Sequence, residues 1–144
     1  MADWKTSLER LQRACANPRE QLDRYLEQGK QVVGCFAPYA PEELVHAAGL
    51  IPMGMWGGRT ELKLAKSYLP AFACSIMQAN MEFGLQGVYK GMSAVIIPAI
   101  CDTLRCMTQN WRFGIKSIPA IAIVYPQNRS NPASVDYLIS EYET

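Results

Sequence analysis

Cysteine is the residue type in this 144-residue sequence best equipped for chemistry. There are five: Cys15, Cys35, Cys74, Cys101 and Cys106. The odd count argues against a disulfide scaffold, as does an N-terminus (Met1-Ala2-Asp3-Trp4-Lys5) without a charged-then-apolar leader pattern. A single histidine and the lack of any C-x-x-C spacing remove the common zinc-ribbon and thioredoxin-type readings. Each thiol then has two readings: a small buried hydrophobe, or a ligand for a soft metal centre.

Two of the five stand where open α/β sheets place their chemistry. Cys101 follows the apolar run Ala94–Pro98 and opens Cys101-Asp102-Thr103, in which Asp102 or Thr103 can cap a following helix. Ligands in such sheets bind beyond the carboxyl ends of the strands. Cys74 lies in Pro70-Ala71-Phe72-Ala73-Cys74-Ser75, directly before another helical stretch. A thiolate is favoured beside a helix N-terminus. Two such thiols can converge on one centre, and thiolates select iron–sulfur clusters, zinc or copper(I). The competing reading is two unrelated buried thiols. Cys106 sits five residues beyond Cys101 inside the predicted helix, so it turns away from the helix start.

The elements that must position these residues follow from periodicity. Apolar residues at helical spacing predict helix over 4–28, broken at Asn17-Pro18, with Gly29 as C-cap. Residues 31–36 read as a buried strand. Pro41-Glu42-Glu43 starts a helix with two carboxylates in its positive first turn, and Gly49 ends it. Residues 50–56 form a second strand entering the Gly57-Gly58 turn. Helix is predicted over 75–89, strand over Ala94–Pro98, helix over 103–113 and strand over 120–125. A polar loop spans 126–132, and helix begins at Ser134. Alternating strands and helices specify an α/β fold: an open parallel, Rossmann-like sheet with helices on both faces. The expected organisation is an N-terminal helical segment over 1–30 and an α/β domain over 31–144. The last helical pattern stops at Glu143-Thr144 without a cap, the expectation for a fragment of a longer chain.

Composition narrows the function classes. The residues are 49% hydrophobic and 19% charged with a net charge of +1, a globular balance that gives no electrostatic case for nucleic acid or membrane as a partner. The longest apolar run, 94–100, is too short to span a bilayer. A cytoplasmic protein is expected. No nucleotide-binding glycine motif occurs. Arg59, Lys63 and Lys66 read as a solvated face, His46 as an interface residue, and Met53, Met55, Met77 and Met81 as fillers.

Three blocks carry a family resemblance. Gly34-Cys35-Phe36-Ala37-Pro38-Tyr39-Ala40-Pro41-Glu42-Glu43-Leu44-Val45-His46-Ala47-Ala48-Gly49 resembles the opening motif of 2-hydroxyacyl-CoA dehydratase subunits and of the related benzoyl-CoA reductase subunits. Tyr68-Leu69-Pro70-Ala71-Phe72-Ala73-Cys74-Ser75 resembles the segment carrying their first cluster cysteine. Ile97-Pro98-Ala99-Ile100-Cys101-Asp102-Thr103-Leu104 resembles the segment carrying the second. The order and spacing of the blocks agree with the family.

The resemblance implies a 4Fe–4S cluster with Cys74 and Cys101 as ligands. The family's third cysteine lies in a second, C-terminal domain that this sequence does not contain. It implies dehydration of an (R)-2-hydroxyacyl-CoA to a 2-enoyl-CoA through a ketyl radical. It also implies a paralogous partner subunit and an ATP-hydrolysing iron–sulfur activator. Tyr39, Glu43 and Trp56 become candidate substrate-binding residues beside the cluster. A benzoyl-CoA-reductase-like subunit and a non-catalytic assembly domain remain the alternatives. The sequence departs from some family members at Ala37-Pro38, where they carry a Cys-Ser pair. A hydroxyl from that position is therefore missing here.

Overall fold

The computed structural model describes residues 3–143; the side chain of Cys15 lies outside what it describes, as do Met1, Ala2 and Thr144, on which the leader and chain-end readings partly rest. Two helices come first, α1 (Trp4–Ala16) and α2 (Pro18–Glu27). Asn17 separates them, its side-chain oxygen accepting from the Glu20 N–H while Pro18 takes the first helical position. Next come β1 (Val32–Phe36), α3 (Glu42–Ala47) and β2 (Ile51–Met55), then a long segment with a single 3₁₀ turn at Ala65–Ser67. The chain continues through α4 (Ser75–Leu85), β3 (Ala94–Pro98), α5 (Asp102–Gly114), β4 (Ala120–Ile123) and α6 (Ala133–Tyr142).

The four strands form one parallel sheet in the order β2-β1-β3-β4. Period-two alternation divides the core between its faces. Val32 and Phe36 join Met77, Met81, Leu104, Met107 and Trp111 in the larger core, so α4 and α5 cover one face. Val33 and Cys35 pack with Val45, Ile96 and Ile123, against which Leu138 leans, so α3 and α6 cover the other. Gly34 faces the larger core because nothing bigger fits: a Cβ there would meet Val95 Cγ1 at 2.9 Å and Met55 Sδ at 3.0 Å.

The expected fold is the observed one, with several elements shorter and α5 a residue longer at each end. The helix predicted to Tyr89 ends at Leu85, because Gly87 takes φ +78° and turns the chain. The strand predicted to Tyr125 ends at Ile123, where Val124 N–H donates to Glu141 of α6 at 2.8 Å. At the other end of β4, the Arg112 guanidinium donates twice to the Ala120 carbonyl, at 3.1 and 2.9 Å. Both bonds engage backbone groups on the open side of β4, so charged side chains guard an otherwise apolar edge strand. The N-terminal helices are not detached. Leu22 of α2 is fully buried in the larger core, and Arg19 donates to the carbonyls of Val88 and Lys90.

The segment between β2 and α4 has little regular structure of its own and hangs on one carboxylate. Glu82 of α4 is fully buried; its Oε2 accepts the N–H groups of Ala65 at 2.8 Å and Lys63 at 3.0 Å, and its Oε1 accepts the Gln86 amide at 2.8 Å. Burial alone would push this carboxyl's pKa up. Donation from Ala65, Lys63, Gln86 and Leu64 outweighs burial and holds it below the ordinary 4.5. A lowered folded value means the stabilisation is complete above the ordinary value and fades as pH falls through the folded one. Glu82→Gln is expected to cost about 1–3 kcal/mol at neutral pH. In urea unfolding, the deficit against wild type should shrink between about pH 7 and about pH 3. A deficit indifferent to acid would contradict this account.

Candidate functional site

Cys74 and Cys101 are the N-cap residues of α4 and α5. Both have extended backbone, φ −64°, ψ 150° at Cys74 and φ −143°, ψ 168° at Cys101. Neither side chain caps its helix, and both thiols are exposed. In a parallel sheet, the helix returning from a strand begins at the strands' carboxyl end. Cys74 and Cys101 therefore share that end, and α4 and α5 share one face. Each thiol stands at the positive end of a helix macrodipole.

The other described thiols behave differently. Cys35 is buried on β1, where desolvation, followed by the charge of Glu42, pushes its pKa up to about 11. It is an inert core thiol. Cys106 is exposed along α5, away from the N-cap. The buried-hydrophobe reading thus fits Cys35 and fails for Cys74, Cys101 and Cys106. Among the described residues, no three His, Cys, Asp or Glu side chains gather into a metal-binding group. The chemistry of the pair suits a soft metal, and its number does not complete one.

Hydrogen bonds fix the frame around these thiols. Trp111 is fully buried and donates from Nε1 to the Ile118 carbonyl at 3.1 Å, seating α5 on the sheet. Asn110 donates to the Tyr68 carbonyl at 2.8 Å and Gln78 to the Ala73 carbonyl at 2.5 Å, tying both helices to the segment before Cys74. Asn80 donates to the Met55 carbonyl at 2.8 Å and accepts from the Tyr89 hydroxyl at 2.7 Å, binding α4 to the end of β2. Burial pushes the Tyr89 phenol far up, so it remains a donor.

Tyr39, Glu43 and Trp56 all lie toward the same end. Trp56 follows β2 and is 64% exposed. Two strand spacings, about 10 Å, separate its strand from the one leading to Cys101. Tyr39 follows β1, the strand next to β3. It is 62% exposed with φ +72°, so it lies outside the core. Glu43 is exposed in the first turn of α3. Of these three, Tyr39 lines the cavity described next, whereas Glu43 and Trp56 do not. His46, Arg59, Lys63 and Lys66 are exposed; Met55, Met77 and Met81 are buried and Met53 half-buried.

The sequence reading missed Tyr125. This residue follows β4 and donates its hydroxyl to the Tyr39 carbonyl; its oxygen also lies 3.0 Å from the Tyr142 hydroxyl of α6. Burial, the Tyr142 contact and the Glu43 charge all push its phenol up. Tyr39 and Tyr125 line a cavity of about 420 Å³ with Ile100, Pro126, Gln127, Arg129, Ser134, Val135 and Leu138. Ile100 immediately precedes Cys101. β1 and β3 flank the point where the strand order reverses, the usual ligand position in such sheets. The paired Tyr125-Pro126 at a strand end was the available signal.

Residues 38–144 match the family model described as 2-hydroxyglutaryl-CoA dehydratase, D-component. The chain belongs to this family. It is 48% identical to the beta subunit of lactoyl-CoA dehydratase from Anaerotignum propionicum, over 99% of this chain and 38% of that protein. It is 44% identical to the (R)-phenyllactyl-CoA dehydratase beta subunit of Clostridium sporogenes, over 88% of the chain and 34% of that protein. With the beta subunit of (R)-2-hydroxyglutaryl-CoA dehydratase from Acidaminococcus fermentans it shares 41% identity, over 94% and 36%. The chain therefore spans less than two-fifths of the length of these relatives. No helix among the described residues is long and apolar enough to cross a membrane.

Tyr125→Phe removes the donor to the Tyr39 carbonyl and is expected to cost about 1 kcal/mol. Hydrogen exchange should quicken in residues 38–42 and in the last turn of α6. Unchanged exchange in both segments would refute the role given to this hydroxyl.

Proposed function

We propose that this chain is the cluster-bearing N-terminal domain of a dehydratase subunit that removes water from an (R)-2-hydroxyacyl-CoA to give a 2-enoyl-CoA. The observation that carries the reading is the pair of exposed thiols, Cys74 and Cys101, at two helix N-termini on one face and one end of the sheet. Membership of the dehydratase family supports the acyl-CoA reaction.

In this reading Cys74 and Cys101 are two ligands of a 4Fe–4S cluster, and the third comes from polypeptide outside the chain. The bound cluster supplies one-electron chemistry and Lewis-acidic iron. The chain's own residues prepare the place. The two helix N-termini present the thiols side by side at the carboxyl end of the sheet. Glu82, Asn80 and Trp111 hold those termini still, and Tyr39, Glu43 and Trp56 face the open end, where a thioester would lie. The subunit works with a paralogous partner subunit and an ATP-dependent iron–sulfur activator, in the cytoplasm, where thiols stay reduced.

Anaerobic copurification of the full subunit with its neighbour-encoded partner tests this. Iron should be present, and activator, ATP and reductant should yield enoyl-CoA from 2-hydroxyacyl-CoAs. Cys74→Ala and Cys101→Ala should each lower iron content and abolish turnover, whereas Cys106→Ala should leave iron unchanged. The 144-residue chain alone should show no cluster absorbance in visible light. A wild-type complex without iron sinks the proposal.

A further inference from the structure

Cys74 and Cys101 start neighbouring helices, so whatever sets the spacing of α4 and α5 sets the spacing of the thiols. Glycine sets it. Gly84 of α4 is buried and faces α5. A Cβ there would overlap Ile115 Cδ1 and meet Trp111 Cη2 at 3.0 Å and Cζ3 at 3.1 Å. Gly114, the last residue of α5, faces back. A Cβ there would meet Leu85 Cδ2 and Met81 Cε of α4 at 3.1 Å, and Tyr68 Cε1 at 2.9 Å. Each helix thus offers a glycine to the large side chains of the other.

Neither glycine serves to turn the chain. Neither takes a positive φ, and the turn after α4 falls to Gly87. Glycine is among the poorest helix formers, so its place inside α4 needs another reason. Close approach is that reason. Trp111 cannot withdraw to admit a larger residue. Its Nε1 donates to the Ile118 carbonyl at 3.1 Å, and its ring packs on Phe36 and Tyr89, with centroids at 5.4 and 6.3 Å.

The crossing and the thiols are joined by stiff rods. Gly84 lies ten residues past Cys74, and Trp111 ten past Cys101. That is about 15 Å along each axis. Packed helix axes stand about 8–10 Å apart, according to the side chains between them, and glycine on both sides takes the lower end. Metal ligands must be held within about 0.5 Å. The roughly 2 Å between close and ordinary packing therefore decides whether two thiols reach one centre.

We propose that Gly84, together with Gly114, is a positioning residue that holds α4 and α5 close enough for Cys74 and Cys101 to ligate one iron–sulfur cluster. This role rests on the cluster reading of the two thiols. Every residue in it belongs to this chain, whatever supplies the third ligand.

The test uses the anaerobic complex of full subunit and partner. Wild type is compared with Gly84→Ala, with Gly84→Ala plus Ile115→Val, and with Leu22→Ala. Valine lacks the overlapped Cδ1, so the double variant makes room for the new methyl. Leu22→Ala loosens the core beneath α2, away from the crossing. The partner is the same throughout, so differences belong to this subunit. The first readout is the rate at which a chelator removes iron. It should rise about tenfold or more in Gly84→Ala and stay within about twofold of wild type in Leu22→Ala. The second is the yield of Cys74–Cys101 bridged peptide when the iron-stripped complex meets a short bifunctional thiol reagent. Gly84→Ala should cut that yield several-fold, and the double variant should return both readouts toward wild type. Gly114→Ala, at a half-buried helix end, should act in the same direction and decides the matter if Gly84→Ala does not assemble. Unchanged bridging in the glycine variants overturns the proposal. So does iron loss as fast in Leu22→Ala, which marks general loosening, or reduced bridging with iron held as in wild type. If the wild-type complex holds no iron while the glycine variants still reduce bridging, the spacing role stands and the cluster reading alone fails.

Discussion

A buried carboxylate that meets no cation among the described residues sits at the centre of this structure. Taking Glu82 out of water is expensive, and ordinary burial of such a group is relieved by protonation or by a basic partner. Here relief comes from backbone N–H groups of the segment that must be held, with the Gln86 amide on the other oxygen. The dependence is mutual. The segment between β2 and α4 has one short 3₁₀ turn and could not otherwise satisfy those N–H groups below the surface. Anchored on Glu82, it turns back and delivers Cys74 to the start of the same helix that carries the anchor. One residue thus sets both the path of the longest irregular stretch and the end point that matters for chemistry.

The two faces of the sheet then divide the work. The larger core, filled by Trp111, Met81 and Leu104, fixes α4 and α5 rigidly and so fixes the two thiols at their N-termini. The smaller core is thinner, and its second helix, α6, leans on it through Leu138 and a few polar bonds. Rigid packing suits ligands for a metal centre, whose geometry has little tolerance. A lightly packed wall suits a space that admits a molecule. Both meet at the carboxyl end because parallel strands bring all their outgoing loops to one side.

Much of this was legible in the residues. Strand positions, helix starts and the two N-cap cysteines follow from short-range signals: β-branched runs, Pro and carboxylates in first turns, glycines with positive φ. Cys101 could be placed from the run Ala94–Pro98 and its following Asp102 alone. What stayed hidden depends on long-range contact. Glu82 is the one charged residue of α4, and its charge stands out without naming its partners 17 and 19 residues upstream. Tyr125 reads as the last residue of a strand, and its bond to Tyr39 spans 86 residues. The division of Cys35 from Cys74 and Cys101 was also invisible to composition: period two puts Cys35 in the smaller core, whereas the other two lie beyond strand and loop ends.

Under the proposed cluster reading, the carboxyl end of the sheet is incomplete in a consistent way. Its thiols are two, a number that no structural zinc or iron–sulfur site accepts. Its aromatic neighbours are bare, with Phe72 at 83% exposure, two residues from Cys74, and Trp56 at 64%. A surface that combines unpaired soft ligands with exposed aromatics is poorly suited to water, because clusters are tuned by excluding it. Missing ligand and missing cover are one deficiency if a single neighbouring body supplies both. At the β4 edge, Arg112 and Glu141 engage the Ala120 carbonyl and the Val124 N–H, which narrows that edge without closing it. Under the same reading, a body lying over Cys74, Cys101 and Phe72 would meet thiols and aromatic faces together.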